Sequence, residues 1–207
     1  MDAERVTADP FHPQPIALAG EPFVPRPPTS RPRIVSPGNL RYTKNCGAAL
    51  KAVALLGDLE FTYEIAGEGR ERGALSSRID RLGLSHKVRI LGYVDDPRSF
   101  LCTANVFFML SIIEKFGWAA VEVMDAGLPT VAADVPGHSE VIGDAACGRL
   151  VDTRSPVRMA EELRAVLATD TAGREAMGRA AFARAHAFDE NMVVEGYLAC
   201  GGRGKVL

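Results

Sequence analysis

From Arg33 onward the chain alternates short apolar runs with longer stretches of helical period. The runs are Arg33–Ser36, Phe61–Ala66, Val88–Leu91, Asn105–Leu110, Thr130–Ala133 and Arg149–Val151. Between them, Cys46–Leu56, Arg70–Leu82, Pro97–Ala104, Gly117–Ala126 and Ser139–Ile142 carry apolar residues at helical spacing. Strand and helix in strict alternation predict βαβ units, hence a parallel sheet covered on both faces. Val106-Phe107-Phe108-Met109-Leu110 is apolar without a break, as a central strand buried on both sides must be. Three more helical stretches follow, Pro156–Ala168, Thr171–His186 and Asn191–Cys200, with Asp170 and Asp189 as N-caps for the last two.

Residues 1–32 break the pattern, because they hold eight of the thirteen prolines. Proline fixes φ and removes a donor, so neither a helix nor a central strand suits them. They read as an extended tail or linker, either without a role of its own or packed on the domain or joined to another unit. The expected organisation is a tail over 1–32, one domain over 33–200 and a flexible glycine-rich end over 201–207.

Composition removes several function classes. The 207 residues carry 24 basic and 26 acidic groups, a net charge of −2. No basic excess is available to displace phosphate counterions, so a nucleic-acid partner is not expected, nor is a polybasic membrane anchor. Cys46, Cys102, Cys147 and Cys200 are widely spaced, without a C-x-x-C pair. That argues against a zinc knuckle or a disulfide scaffold and for a reducing compartment. No apolar run approaches 18 residues, and Met1–Arg5 does not begin a signal peptide, so a cytoplasmic protein without membrane association is expected.

In open parallel sheets, ligands bind where strands run into helix N-termini. Three of those segments could carry chemistry. Gly67-Glu68-Gly69-Arg70-Glu71-Arg72-Gly73 follows the second strand, but its spacing is one residue too long for a dinucleotide fingerprint. Its amides could approach a phosphate, or its glycines could serve the turn alone. Ser36–Asn45 follows the first strand and holds Gly38, Arg41 and Lys44. Cations near a helix N-terminus are either solvated surface charges or the partners of a di-anion bound there.

Ser111–Gly127 is the richest segment. Glu114 stands in a loop, Gly117 opens a helix, and Glu122 lies one turn beyond Trp118. Carboxylates accept hydrogen bonds from sugar hydroxyls, and the helix start offers amides near Phe116, Gly117 and Trp118 to an anion. The alternative is two ordinary acidic residues drawn to a helix N-terminus by its dipole.

The run Ser111-x-x-Glu114-x-Phe116-Gly117-x4-Glu122-x-Met124-x-x-Gly127-x-Pro129 resembles the E-x7-E signature of the GT-B retaining glycosyltransferases of family 4. Gly38–Lys44, Gly67-Glu68-Gly69, Val88–Val94 and Gly137-His138-Ser139-Glu140 resemble the family's other motifs, in the same order. The resemblance covers about 33–199 and implies a Rossmann-like α/β domain, the donor-binding half of an enzyme that moves a sugar from a nucleoside-diphosphate sugar to an acceptor hydroxyl. By the same resemblance Lys44 binds the diphosphate, Glu122 the ribose hydroxyls and Glu114 the donor sugar. Amides at Phe116 and Gly117 meet sugar or phosphate, and Gly38, Asn39, Arg41 and Gly67 line the donor site. Neither a cofactor nor a metal is implied, and no Asp-x-Asp pair is present. The implied partners are the nucleotide sugar and an N-terminal glycosyltransferase domain or protein. The other reading is a non-catalytic nucleotide-sugar-binding module. The chain departs from the family pattern at Asn39, where an arginine is usual, at His138, where a second glycine is usual, and at Val123 and Asp125, where alanines are usual.

Overall fold

A computed structural model describes residues 23–57, 59–143 and 146–188. Six strands form one parallel sheet: β1 (Arg33–Pro37), β2 (Thr62–Ala66), β3 (Val88–Gly92), β4 (Val106–Met109), β5 (Thr130–Ala133) and β6 (Gly148–Val151). Their order is β3-β2-β1-β4-β5-β6. The chain winds outward from β1 to β3, crosses back to β4 beside β1, and winds outward the other way. The loops after β1 and β4 therefore diverge at the switch point, where open α/β sheets make their crevice.

Seven helices cover the two faces: α1 (Cys46–Ala54), α2 (Arg72–Arg81), α3 (Pro97–Cys102), α4 (Trp118–Asp125), α5 (Pro136–Ile142), α6 (Pro156–Ala168) and α7 (Thr171–Ala185). Side-chain alternation along the strands decides which helix packs where. Ile34, Val106, Phe108 and Val131 point to one face, with Leu50, Leu75 and Leu163 from α1, α2 and α6. Val35, Phe107 and Met109 point to the other, with Leu101 of α3 and Val123 of α4. A second cluster on α4 joins Ala120 and Met124 to Val141 of α5 and Ala181 of α7. Phe107 and Phe108 are both fully buried, so the unbroken apolar run is a central strand as expected.

Each strand expected from the pattern is present, with ends displaced by a residue or so. The helices differ more, for local reasons. Helix α5 begins at Pro136 rather than Ser139, because proline is suited to the first helical position. Helix α2 begins at Arg72 rather than Arg70, and the Glu71 N–H before it donates to Leu40 O. A 3-10 turn over Tyr42–Lys44 was not foreseen. Asp170 caps α7 as expected, accepting from Gly173 N at 2.7 Å. The helix expected over Asn191–Cys200, its cap Asp189 and the end at 201–207 lie outside the described residues, as do 1–22.

The described part of the proline-rich stretch packs on the domain. Phe23 stands edge-on to Phe182 of α7, 5.9 Å between centroids. Arg26 reaches the ends of α3 and α4, donating to Ala104 O, to Gly127 O (2.8 Å), to Ala126 O (2.6 Å) and to Leu101 O (3.4 Å). One guanidinium thus serves four carbonyls at the ends of two helices, of which Leu101 O also accepts from Ala104 N. Replacing Arg26 by alanine removes the side-chain donor from the carbonyls of Ala104, Ala126 and Gly127, at a cost of about 2 kcal/mol or more. We expect Arg26→Ala to lower the urea midpoint clearly and Arg26→Lys, which lacks the planar fork, to recover only part of it. An unchanged midpoint in Arg26→Ala would count against this role.

Candidate functional site

The loops leaving β1, β2, β3 and β4 lock together through their backbones. Gly38 N donates to Ala66 O at 2.9 Å, Leu40 N to Glu68 O at 2.9 Å and Gly67 N to Gly92 O at 2.7 Å. Gly67 has φ +139°, and a Cβ there would lie 2.0 Å from Gly38 O. This corrects one expectation: the Gly67 N–H does not face a phosphate, because it is spent on Gly92, and the glycine is required by loop packing. Leu40, fully buried, pins the first loop, and Ile112 N donates to Thr43 O at 2.9 Å, tying the β4 loop to it.

The tie brings two of the expected residues into contact. Lys44, last residue of the 3-10 turn, extends past Gly38, so that Lys44 Nζ meets Glu114 Oε2 at 3.0 Å. Both side chains are about three-quarters or more buried. The Glu114 backbone is fixed from the other side by α5. A Cβ on Gly137 would lie 2.6 Å from Glu114 O, so only glycine lets the two segments approach this closely.

His138 follows Gly137 and is fully buried beneath the same loop. Its Nδ1 lies 3.1 Å from Ala133 O, its Nε2 3.2 Å from Met109 Sδ and 3.9 Å from Glu114 Oε2. Burial holds the imidazole below its ordinary pKa; the Ala133 carbonyl and Glu114 pull it up, and Lys44 pushes it down. The structure sets His138 against the pair.

The remaining expected residues lie in the β1–α1 and β4–α4 segments and on α4. Gly117 is the N-cap of α4, and its carbonyl accepts from Ala120 N at 2.8 Å. The N–H groups of the first turn point out of the helix at the carboxyl edge of the sheet. Phe116 turns its ring away to stack on Trp118 at 4.8 Å and Phe188 at 5.8 Å, leaving its backbone at the helix start. Glu122 is half-buried on α4, one turn beyond Trp118, and Asn39 is half-buried between Gly38 and Leu40. Arg41 is exposed and caps the 3-10 turn from outside, so the structure does not bring its side chain into the ion pair.

Cys46 opens α1 close by, but burial and then Glu71 push its thiol up to about 11, which leaves it protonated and inert as a nucleophile. Among the described residues no three His, Cys, Asp or Glu side chains are grouped to hold a metal. No helix among them is long and apolar enough to cross a membrane. Lys44, Glu114 and His138 thus bring an ammonium, a carboxylate and a buried imidazole together. That set can hold an anion and hydroxyl groups side by side.

Comparison with known proteins gives a consistent picture. The sequence pattern of the family "Glycosyl transferases group 1" matches residues 21–184. The chain is 30% identical over 189 residues to the lipopolysaccharide core biosynthesis glycosyltransferase LpsD of Rhizobium meliloti, covering 87% of this chain and 54% of that protein. It is 30% identical over 149 residues to the 2-deoxystreptamine glucosyltransferase of Streptomyces kanamyceticus, covering 67% of this chain and 38% of that one. Its fold matches TarM of S. aureus with a TM-score of 0.76 at 22% identity, over 86% of this chain and 38% of that one. Anabaena HepE, solved with UDP and glucose, matches with a TM-score of 0.74 at 24% identity, over 83% of this chain and 49% of that one. The chain thus spans about half or less of the length of these proteins, and the structural likeness is to half of a GT-B fold.

The buried imidazole carries a pH dependence. His138 titrates lower when folded than its ordinary value of about 6.5, so below that value the unfolded chain binds more protons. Stability from this group is complete above pH 6.5 and falls as the pH drops toward the folded value, by at most about 1.4 kcal/mol per pH unit. Denaturation of the wild type between pH 5 and 7 is expected to show this slope, and His138→Gln to flatten it. Equal slopes in both would remove His138 as the source.

Proposed function

The chain belongs to the glycosyl transferases group 1 family, and we propose that it supplies the donor-binding half of a retaining glycosyltransferase. In this reading a sugar passes from a nucleoside-diphosphate sugar to an acceptor hydroxyl. The observation that carries it is the contact of Lys44 with Glu114 at the switch point, beside the start of α4. The leaving group is a nucleoside diphosphate, whose negative charge grows as the glycosidic bond breaks. The Lys44 ammonium and the amides at Phe116 and Gly117 stabilise that charge without a metal. Glu114 then turns to hydroxyls of the donor sugar, and Glu122 accepts from the ribose hydroxyls. Gly38, Asn39 and Arg41 form the rim on the diphosphate side, and Gly67 keeps that rim closed by its contact with Gly38.

The acceptor requires a second wall. Transfer needs donor and acceptor held together with water excluded. We assign that wall to an N-terminal glycosyltransferase domain or partner protein, consistent with a chain that spans about half of its relatives. Asn39, uncharged where the family pattern has arginine, supports a second reading, a module that binds nucleotide sugar without turning it over.

Titration calorimetry with UDP-, GDP- and ADP-sugars tests the donor site. Binding is expected for at least one, weakened by about 1–3 kcal/mol in Lys44→Ala and in Glu122→Ala. No binding at millimolar ligand, or unchanged affinity in both variants, overturns the assignment. Donor-dependent transfer by the chain alone would exclude the non-catalytic reading.

A further inference from the structure

The surroundings of His138 are specific. The ring is sealed from solvent, with Nδ1 placed to donate to Ala133 O. That bond fixes the tautomer and leaves the lone pair on Nε2, which faces Met109 Sδ and the Glu114 carboxylate. At 3.9 Å the bare nitrogen and the carboxylate oxygen do not bond; a proton on Nε2 would attract the carboxylate and bond it once the two approach by somewhat under about 1 Å. Among the described groups, the charged neighbours acting on the ring are Glu114, from the β4–α4 loop, and Lys44, from the 3-10 turn. Met109 of β4 and the Ala133 carbonyl of β5 are its uncharged neighbours. Glu114 therefore has two candidate counter-ions, the Lys44 ammonium and an imidazole that becomes charged by taking a proton.

We propose that His138 is a positioning residue that replaces Lys44 as the counter-ion of Glu114 whenever Lys44 is drawn away by an anionic ligand. The Nε2 lone pair binds a proton delivered by solvent hydronium or a buffer acid, leaving water or the buffer base. Glu114 Oε2 closes from 3.9 Å to hydrogen-bond distance and accepts from the new Nε2–H, and no bond between heavier atoms changes. Glu114 keeps a counter-charge on one oxygen while the ammonium turns to the ligand, so the buried charge is never left unpaired and the other oxygen remains for the sugar hydroxyls. On the donor reading, which this inference deepens, the ligand is the diphosphate of a nucleotide sugar, and its arrival is accompanied by uptake of one proton.

Nitrogen-15 NMR of the histidine rings tests this on the whole chain. In the wild type at pH 7, His138 is expected to carry its proton on Nδ1 only. Lys44→Met removes the competing cation without any ligand, and the protonation midpoint of His138 should rise by about one pH unit. Adding Glu114→Gln to Lys44→Met should cancel that rise. A midpoint that ignores Lys44→Met, or one that rises equally in the double variant, overturns the proposal. A UDP-sugar titrated into the wild type then separates the two readings. Binding that protonates His138 supports both, and binding with His138 still neutral overturns this inference while leaving the donor reading intact. If no nucleotide sugar binds but the variant response is present, the counter-ion exchange stands and the donor reading falls.

Discussion

Lys44 and Glu114 are 70 residues apart in the chain and 3.0 Å apart in space. The contact depends on the sheet order, since β1 and β4 are neighbours only because the chain reverses its direction of winding after β3. It also depends on backbone packing. Gly67 holds the β2 loop against Gly38, and Gly137 holds α5 against the carbonyl of Glu114. Charged side chains as long as lysine lose rotamer freedom when they are fixed. Here the loops at both ends are tied down by main-chain hydrogen bonds, so most of that ordering belongs to the fold itself. A lysine and a glutamate on two mobile loops would not form a defined site.

The pair also governs the chemistry of its surroundings. Being largely buried, it is poorly screened, and each charge acts strongly on nearby groups. The ammonium opposes protonation of His138 and the carboxylate favours it. A ligand entering the site must offer Lys44 more than one carboxylate does and offer Glu114 donors in return. A diphosphate joined to a sugar has both kinds of group, which is why the donor reading fits this arrangement better than a simple anion site would.

Two departures from the family pattern are internally compensated. His138 fills space under the Glu114 loop and satisfies one nitrogen on Ala133. Asp125 stands where an alanine is usual, and its carboxylate lies 3.4 Å from His186 Nε2 on the neighbouring C-cap of α7. Burial pushes the Asp125 carboxyl up, while His186 and Arg98 pull it down. A charge on that face of α4 is tolerable because α7 brings a partner to it. The ammonium that binds Glu114 and the imidazole beneath it are thus parts of one electrostatic arrangement, whereas the Asp125 contact serves helix packing.

Strand identity, helix identity and the parallel architecture were legible in the sequence. They rest on local periodicity, and Val106–Met109 or α6 needs no distant residue to declare its type. Lys44, Glu114, Glu122 and the α4 start were also legible as candidates, because their spacing lies within single segments. The purpose of Gly67, the exclusion of the Arg41 side chain from the ion pair and the approach of His138 to Glu114 were decided by the tertiary structure alone. Each of these depends on which loops the sheet order brings together and on how closely their backbones approach. Such distances arise from packing between remote segments, and no local pattern of residues encodes them.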